Sequence, residues 1–341
     1  MINFNETTIS DLIFHRFSMD ENNCIENNNL YEYQNEEEEN ILRKIFIKPF
    51  TSNFTTFEFK HDIDISLNPL FQLSKFIYED ENFIDKSKEI FTHLKNVSKH
   101  PNIKDGDLFI IKYNDVKLDN IYYEALGIYK IENKESYIEI IQDNRGKGKL
   151  NFRKGIGERL LDKACLIIFN KKPYTISIID NGSKETDYWK NEFLNVISKN
   201  DSINNTDQFL SLTKSFINKK YSEPNISKVE KSALLNKSYD FFKNKESFDI
   251  KEFEEEVMKD SNIIEEFNEY KKNYEKNHHF KLNNDFKIAT EAVKKQSQFF
   301  KSKIKLDKNF DIYVHGDSKL IQRGIESDGR KYYKIYYKEE L

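Results

Sequence analysis

The feature that most constrains this chain is a change of hydrophobic period at Gly106. The stretch "GDLFIIKYNDVKLDNIYYEALGIYKIENKESYIEIIQD" is β-branched and aromatic, and segments such as "YNDV" and "IENKES" interrupt it. Runs of this kind separated by turn residues read as an antiparallel meander. Two further strands follow in "DKACLIIFNKKPYTISIIDNG", around "NKKP". Before this block, "DLIFHRF" predicts a strand, and then the spacing becomes helical. "NEEEENILRKIFIKPF" places Glu36 to Glu39 in a first turn, where the helix dipole favours acids. "DISLNPLFQLSKFIYED" continues with helical spacing, and "NFIDKSKEIFTHLKNVSKHPNI" repeats it through Phe83, Ile90, Phe91 and Leu94 before Pro101.

Helical spacing returns from "SKETDYWKNEFLNVIS" onward, through "TDQFLSLTKSFINKKY", "SKVEKSALLNKSYDFFKNK" and "DIKEFEEEVMKDSNIIEEFNEYKKNYEKN". Ser227 followed by Glu230 forms a capping-box pattern, a helix start. A last helix is expected over "DFKIATEAVKKQSQFFKSKI", and "NFDIYVHG" and "KYYKIYY" are expected to pair as a closing hairpin. No strand–helix–strand rhythm with a glycine fingerprint is present, so a doubly wound sheet is disfavoured. The expected fold is α+β: an amino-terminal antiparallel sheet with helices, then a mostly helical carboxy-terminal half closing with a β-hairpin. The expected domains are residues 1–180 and 181–341.

With 341 residues, 38% of them hydrophobic, the chain can fill a core in each domain. Its two cysteines, Cys24 and Cys165, have no CxxC or CxxH company, which argues against a zinc site and a disulfide scaffold. No secretory leader pattern opens the chain and no apolar run approaches the roughly 20 residues of a membrane span, so a cytoplasmic protein is expected. The net charge of −4 hides a division. Counted by blocks, it is −11 over residues 1–140, +5 over 141–180, −5 over 181–270 and +7 over 271–341. Two basic zones in an acidic body permit local contact with a polyanion, as they permit an ordinary solvated surface.

The first basic zone opens with "DNRGKGKLNFRKGIGERL", residues 143–160, which holds four of the chain's 10 glycines. It is no nucleotide cradle: GxxxxGK[ST] breaks at Leu150 and GxGxxG breaks at Asn151. What it offers is a cationic loop, with Arg145, Lys147, Lys149, Arg153, Lys154 and Arg159 available to DNA phosphates; a flexible loop whose charge serves solubility has the same composition. In the expected last helix, Lys287, Lys294 and Lys301 recur every seven residues, with Lys305 beyond, opposite Ile288, Ala292, Val293, Phe299 and Phe300. Such a row can track a DNA backbone, and it can equally be a solvated face.

Catalytic and metal patterns are weak. His278 and His279 are adjacent, and neighbours on a helix diverge by about 100°. His93 and His100 lack acidic or cysteine partners, His15 reads as a packed residue, and "HGD" at 315–317 reads as a turn. GxSxG is missing. A metal nuclease would need carboxylates brought together on the sheet, and Asp107, Glu124 and Glu139 are the candidates in the meander. No cofactor is expected.

Several segments, taken in order, resemble the bacterial nucleoid-associated protein family of the NdpA/YejK type, in its Bacteroidetes-like form. They are "ISDLIFHRF", "DGDLFIIKY", "YYEALGIYKI", "LDKACLIIFN", "DYWKNEFLNV" and "AVKKQSQFFKSKIKLDKNFDIYVHG", and the closing "KYYKIYY" fits as well. The resemblance covers nearly the whole chain. It implies a cytoplasmic, chromosome-associated protein that binds double-stranded DNA with little sequence preference, contacts type II topoisomerases in some members, and has no enzyme activity. It supplies no contact residues, so the lysines and arginines above rest on charge and spacing. Two rivals stand beside that reading: an adaptor whose main partner is a protein such as a topoisomerase, and the nuclease. The helix-rich half ending in an exposed hairpin edge is also compatible with a homodimer.

Overall fold

The computed structural model describes every residue except 1, 54, 143–145, 182–187, 222–227, 279, 301–302, 307–308, 314–319 and 340–341. The chain divides into two units, Met1–Lys199 and Asn200–Leu341. In the first unit the order is β1 (Ile2–Asn3), β2 (Thr8–Phe17), α1 (Glu36–Phe46), β3 (Thr56–Phe59), α2 (Pro69–Tyr78), α3 (Phe83–Val97), β4 (Gly106–Leu118), β5 (Ile121–Ile131), β6 (Glu135–Gln142), β7 (Gly148–Gly155), β8 (Lys163–Ile168) and β9 (Thr175–Asp180). A π-helical turn, Trp189–Leu194, and β10 (Val196–Ser198) complete it.

Eight strands form one antiparallel sheet in the order β4-β5-β8-β9-β3-β10, with β1 and β2 both pairing with β4. Side chains alternate across a strand, and here both faces are buried. Leu108, Ile110, Leu126, Ile128, Cys165 and Ile167 pack with Leu70 and Phe71 of α2, Ile90, Phe91 and Leu94 of α3, and Trp189 and Phe193 of the π turn. Ile111, Tyr113, Ala125, Tyr129, Ala164 and Leu166 turn to the other side, against Ile45 and Phe46 of α1 and Phe50 behind it. The result is a sheet between two helical layers, which explains why the central strands read as continuous apolar runs.

Local chemistry sets the element ends. Asn35 caps α1 by accepting from the Glu38 amide at 2.9 Å, and the four glutamates follow in its first turn. The expected turn at "YNDV" is a bulge instead: β4 runs on past a register shift between Tyr113 and Val116, with Asp115 at φ 59°. The chain reverses later, at Asp119 and Asn120, both with positive φ, as a tight hairpin turn demands. Gly127 in β5 is there for close approach, because a β-carbon would collide with the rings of Tyr113 and Tyr129, whose hydroxyls meet at 2.9 Å in the buried layer. β6 departs from the meander. The open edge of β5 pairs with β8, from Ala125↔Ile168 to Lys130↔Lys163, so β6 pairs with β7 alone as a separate two-stranded ribbon.

The second unit contains α4 (Ser202–Lys220), α5 (Lys228–Asn244), β11 (Ser247–Asp249), α6 (Ile250–Phe253) running into a π turn at Glu254–Met258, α7 (Ser261–His278), β12 (Asp285–Lys287), α8 (Thr290–Gln296), β13 (Lys303–Leu306), β14 (Phe310–Tyr313), β15 (Ile321–Ile325) and β16 (Lys331–Ile335). Its core is built on Phe209, Phe216, Phe241, Phe242, Phe248, Phe253 and Phe267. The fold class is thus α+β. Three local expectations are corrected. The long helix expected from Asp249 is broken at Lys259, which sits at φ 63°. The expected last helix gives way to β12, the seven-residue α8 and β13, because Phe286 leaves it to pair across strands with Phe248, ring centroids 4.8 Å apart. Finally, "NFDIYVHG" and "KYYKIYY" do not pair with each other: β14 pairs with β13, and β16 with β15. Helix α5 starts at Lys228, while Ser227 of the capping box lies outside the described residues.

Two side chains test this packing. Asn68 caps α2 at the Phe71 amide (3.0 Å) and donates to the carbonyls of Lys60, Leu194 and Asn195 at 3.0–3.1 Å. It ties β3, β10 and α2 together while fully buried. Asn68→Ala removes the cap and the side-chain donor to these buried carbonyls, of which Asn195 O keeps the Lys60 amide, and is expected to lower stability by about 2–3 kcal/mol in urea denaturation. His15, also fully buried, accepts from the Asn27 amide through Nδ1 (3.2 Å) and faces Ser87 Oγ through Nε2 (3.1 Å). Because the Ser87 hydroxyl donates to Ile84 O at 2.6 Å, Nε2 carries the hydrogen and the ring is neutral. Burial first, and then the charge of Lys88, push its pKa from 6.5 down to about 4. As pH falls from 6.5 toward 4 the unfolded chain takes up a proton that the folded chain refuses, so stability falls across that window. His15→Gln is expected to flatten that part of the stability–pH curve.

Candidate nucleic-acid interface

The basic stretch forms part of the β6–β7 ribbon. Residues 143–147 join its strands, and the register runs from Glu135↔Gly155 to Gln142↔Gly148. Cross-strand partners share a face, so Tyr137, Glu139 and Ile141 lie with Arg153, Asn151 and Lys149 on one side. Ser136, Ile138 and Ile140 lie with Lys154, Phe152 and Leu150 on the other. Lys147, Lys149, Arg153 and Lys154 are all exposed. Arg153 Nε stands 3.6 Å from Glu139, which also accepts from Asn151 at 3.0 Å. Arg145 lies outside the described residues.

Arg159 has a different job. Its guanidinium donates to Asp162 at 3.1 Å, and the same buried carboxylate accepts from the amides of Glu132 and Asn133 at 2.9 and 3.0 Å and from the Asn133 side chain at 2.6 Å. This cluster holds the base of the ribbon to the sheet. Beside it, Arg16, Lys134 and Lys154 share a cleft of about 800 Å³ with Asp105, Asp107 and Glu132. Asp107 sits between Arg16 at 3.1 Å and Lys134 at 2.6 Å, so the cleft has mixed charge.

The other predicted cations do not form one helical stripe. Lys287 is exposed on β12, Lys294 is exposed on α8, and Lys305 belongs to β13; Lys301 lies outside the described residues. The carboxylates considered for a nuclease are also kept apart. Asp107 and Glu124 lie about seven residues apart along the β4–β5 ladder, roughly 20 Å, and Glu139 is on the separate ribbon. Glu124 meets Lys112 at 3.1 Å. Among the described residues, no group of three or more His, Cys, Asp or Glu is placed to hold a metal ion. His93 donates to Phe193 O (2.9 Å) and stacks on the Phe193 ring, and His278 stacks on Tyr274. His93 is thus a packed residue, while His278 is exposed and engaged with Tyr274. His279 and the "HGD" turn lie outside the described residues.

A buried ionic cluster at the end of β5 was not visible in the sequence. Lys130, with no exposed surface, donates to Glu132 at 2.9 Å, Lys104 O at 2.6 Å and Tyr188 Oη at 3.1 Å. Directly across the ladder is Lys163, paired with Asp180 at 2.7 Å, and the Tyr188 ring lies over both ammonium groups. Burial lowers the Lys130 pKa, opposed by Glu132, and burial raises that of Tyr188. The only sequence signal is a lysine at an inward strand position in "IYKIEN" and in "LDKACL". Every strong partner is internal, so the cluster is structural.

The family model described as nucleoid-associated protein YejK matches residues 13–330, from within β2 to the β15–β16 turn. The chain belongs to that family. Among curated proteins none matches. Membership of the YejK family carries a nucleoid-associated role and agrees with the segments that suggested it. No described helix is long and apolar enough to cross a membrane.

The buried ion pair at the base of the sheet is open to a direct test. Glu132→Ala leaves Lys130 buried without its carboxylate and is expected to cost about 3–5 kcal/mol in denaturant titration. Replacing both residues with apolar ones of similar size, Lys130→Met with Glu132→Leu, is expected to recover much of that stability.

Proposed function

We propose that this protein is a non-catalytic nucleoid-associated protein that binds double-stranded DNA with little sequence preference. The observation that carries this reading is the β6–β7 ribbon, whose Lys147, Lys149, Arg153 and Lys154 are exposed in a chain of the YejK family. A two-stranded ribbon fits the major groove of DNA, and cations spread along its length and tip meet phosphates without reading bases. Arg145, outside the described residues, is proposed to contact phosphate with them on charge and sequence alone. Lys287 on β12, Lys294 on α8 and Lys305 on β13 are proposed as further phosphate contacts, together with Lys301, which lies outside the described residues. Arg159, engaged with the buried Asp162, positions the ribbon more than it meets DNA. The separation of Asp107, Glu124 and Glu139 supports the absence of nuclease chemistry.

A second reading rests on the acidic first 140 residues. They repel a polyanion and suit a protein partner, a type II topoisomerase subunit being the one the family resemblance suggests. A nucleoid location follows from either reading.

Phosphate contacts release counterions, so affinity for duplex DNA is expected to fall steeply with salt, each neutralised phosphate adding roughly 0.9 to the log–log slope. Replacing Lys147, Lys149 and Lys154 together with Ala is expected to weaken binding equally across sequences and to reduce the slope by roughly 0.9 for each phosphate that is no longer neutralised. Unchanged affinity and slope in a salt titration would remove the ribbon from the interface. A stoichiometric protein partner from nuclease-treated lysate, with no duplex shift at low salt, would favour the adaptor.

A further inference from the structure

The β15–β16 hairpin has one face packed at its centre, with Ile325 and Ile335 still exposed on it, and one open face. Ile321 and Tyr333, neighbours on the packed face, are partly buried in a small cluster with Leu306 and Ile312 of β13–β14. The opposite face carries Gln322 and Gly324 on one strand and Tyr332 and Lys334 on the other, paired as Gly324↔Tyr332 and Gln322↔Lys334. Tyr336 extends this row: its amide donates to Leu320 O at 2.8 Å and its hydroxyl to Gln322 Oε1 at 3.0 Å.

Gly324 explains the lie of the first ring. Tyr332 covers it so closely that any β-carbon there would collide with the ring. The ring therefore rests on bare backbone and keeps a π face toward solvent, 42% of the residue being exposed. Tyr336, 41% exposed, is held by Gln322 at the other end of the row, and Lys334 Nζ lies between them, 5.1 Å from the Tyr336 ring centroid. Two residues of β-strand rise separate each ring from the lysine, so the tyrosines are about 13 Å apart along the ribbon. Arg330, paired with Asp328 at 2.6 Å, and Lys338 are exposed at either end of the row, while Lys331 belongs to the opposite face, across from Ile325.

We propose that this face is a stacking platform for unpaired DNA bases. Restrained outward rings alternating with cations suit a single strand, whose bases offer their flat faces to aromatic side chains while the ammonium groups meet phosphates. A duplex covers those base faces with neighbouring pairs, so the platform discriminates for melted or single-stranded DNA. The residues are distinct from the β6–β7 cations, and the proposal goes beyond duplex binding.

The test uses the full chain with a fluorescein-labelled oligo-dT of about sixteen nucleotides and, separately, a mixed-sequence duplex of the same length. Tyr332→Ala and Tyr336→Ala are each expected to weaken oligo-dT binding about tenfold and to leave duplex affinity unchanged. Tyr332→Phe, which keeps the ring against Gly324, is expected to bind oligo-dT like the parent. The proposal is overturned if the parent binds duplex but no oligo-dT, if the alanine variants bind oligo-dT undiminished, or if they lose both ligands alike. A parent that binds oligo-dT but no duplex, with the alanine variants impaired, would sink the duplex reading and leave the platform standing.

Discussion

The first unit depends on burying both faces of β4, β5 and β8. Alternate residues of these strands feed two separate cores, so neither helical layer can be dispensed with. Polar groups caught between the layers must find partners there. Tyr113 meets Tyr129, His15 is held neutral between Ser87 and Asn27, and Lys130 and Lys163 face each other only because Glu132 and Asp180 neutralise them.

The same constraint expels what does not fit. Once β8 occupies the edge of β5, the chain between them has no sheet to join, and β6 and β7 can satisfy their backbone only with each other. A ribbon outside a two-sided core has solvent on both faces, which is where flexible cations cost least. The β15–β16 hairpin follows a similar logic in its own unit, with one face packed by Ile321 and Tyr333 and the other left open. In each unit a packed body carries a two-stranded ribbon bearing exposed basic side chains.

Much of this was legible in one dimension. Helices α1 to α5 and strands β2, β4, β5, β8 and β9 lie where periodicity, glutamate-rich first turns and Asn/Asp punctuation place them. The failures share a cause. "DFKIATEAVKKQSQFFKSKI" has helical spacing, yet Phe286 gains more by stacking on Phe248, far back in the chain, than by continuing a helix, and the lysine stripe disappears with that helix. "YNDV" has turn composition, but the pairing of β4 with β2 and β5 on both sides carries the strand through it as a bulge.

The sequence by itself determined the alternation of helical and strand character, the α+β class, the basic zone after residue 140 and membership of the family, because each is written in local pattern or ordered segments. The tertiary structure decided which strand lies beside which, and therefore which cations are engaged. Arg159, Lys130 and Lys163 look no different in the chain from Lys149 or Lys154, but packing sets the half-buried Arg159 against the buried Asp162, pairs the buried Lys130 and Lys163 with Glu132 and Asp180, and leaves the other two at the surface. The desolvation that makes this distinction exists only once distant segments have been packed together.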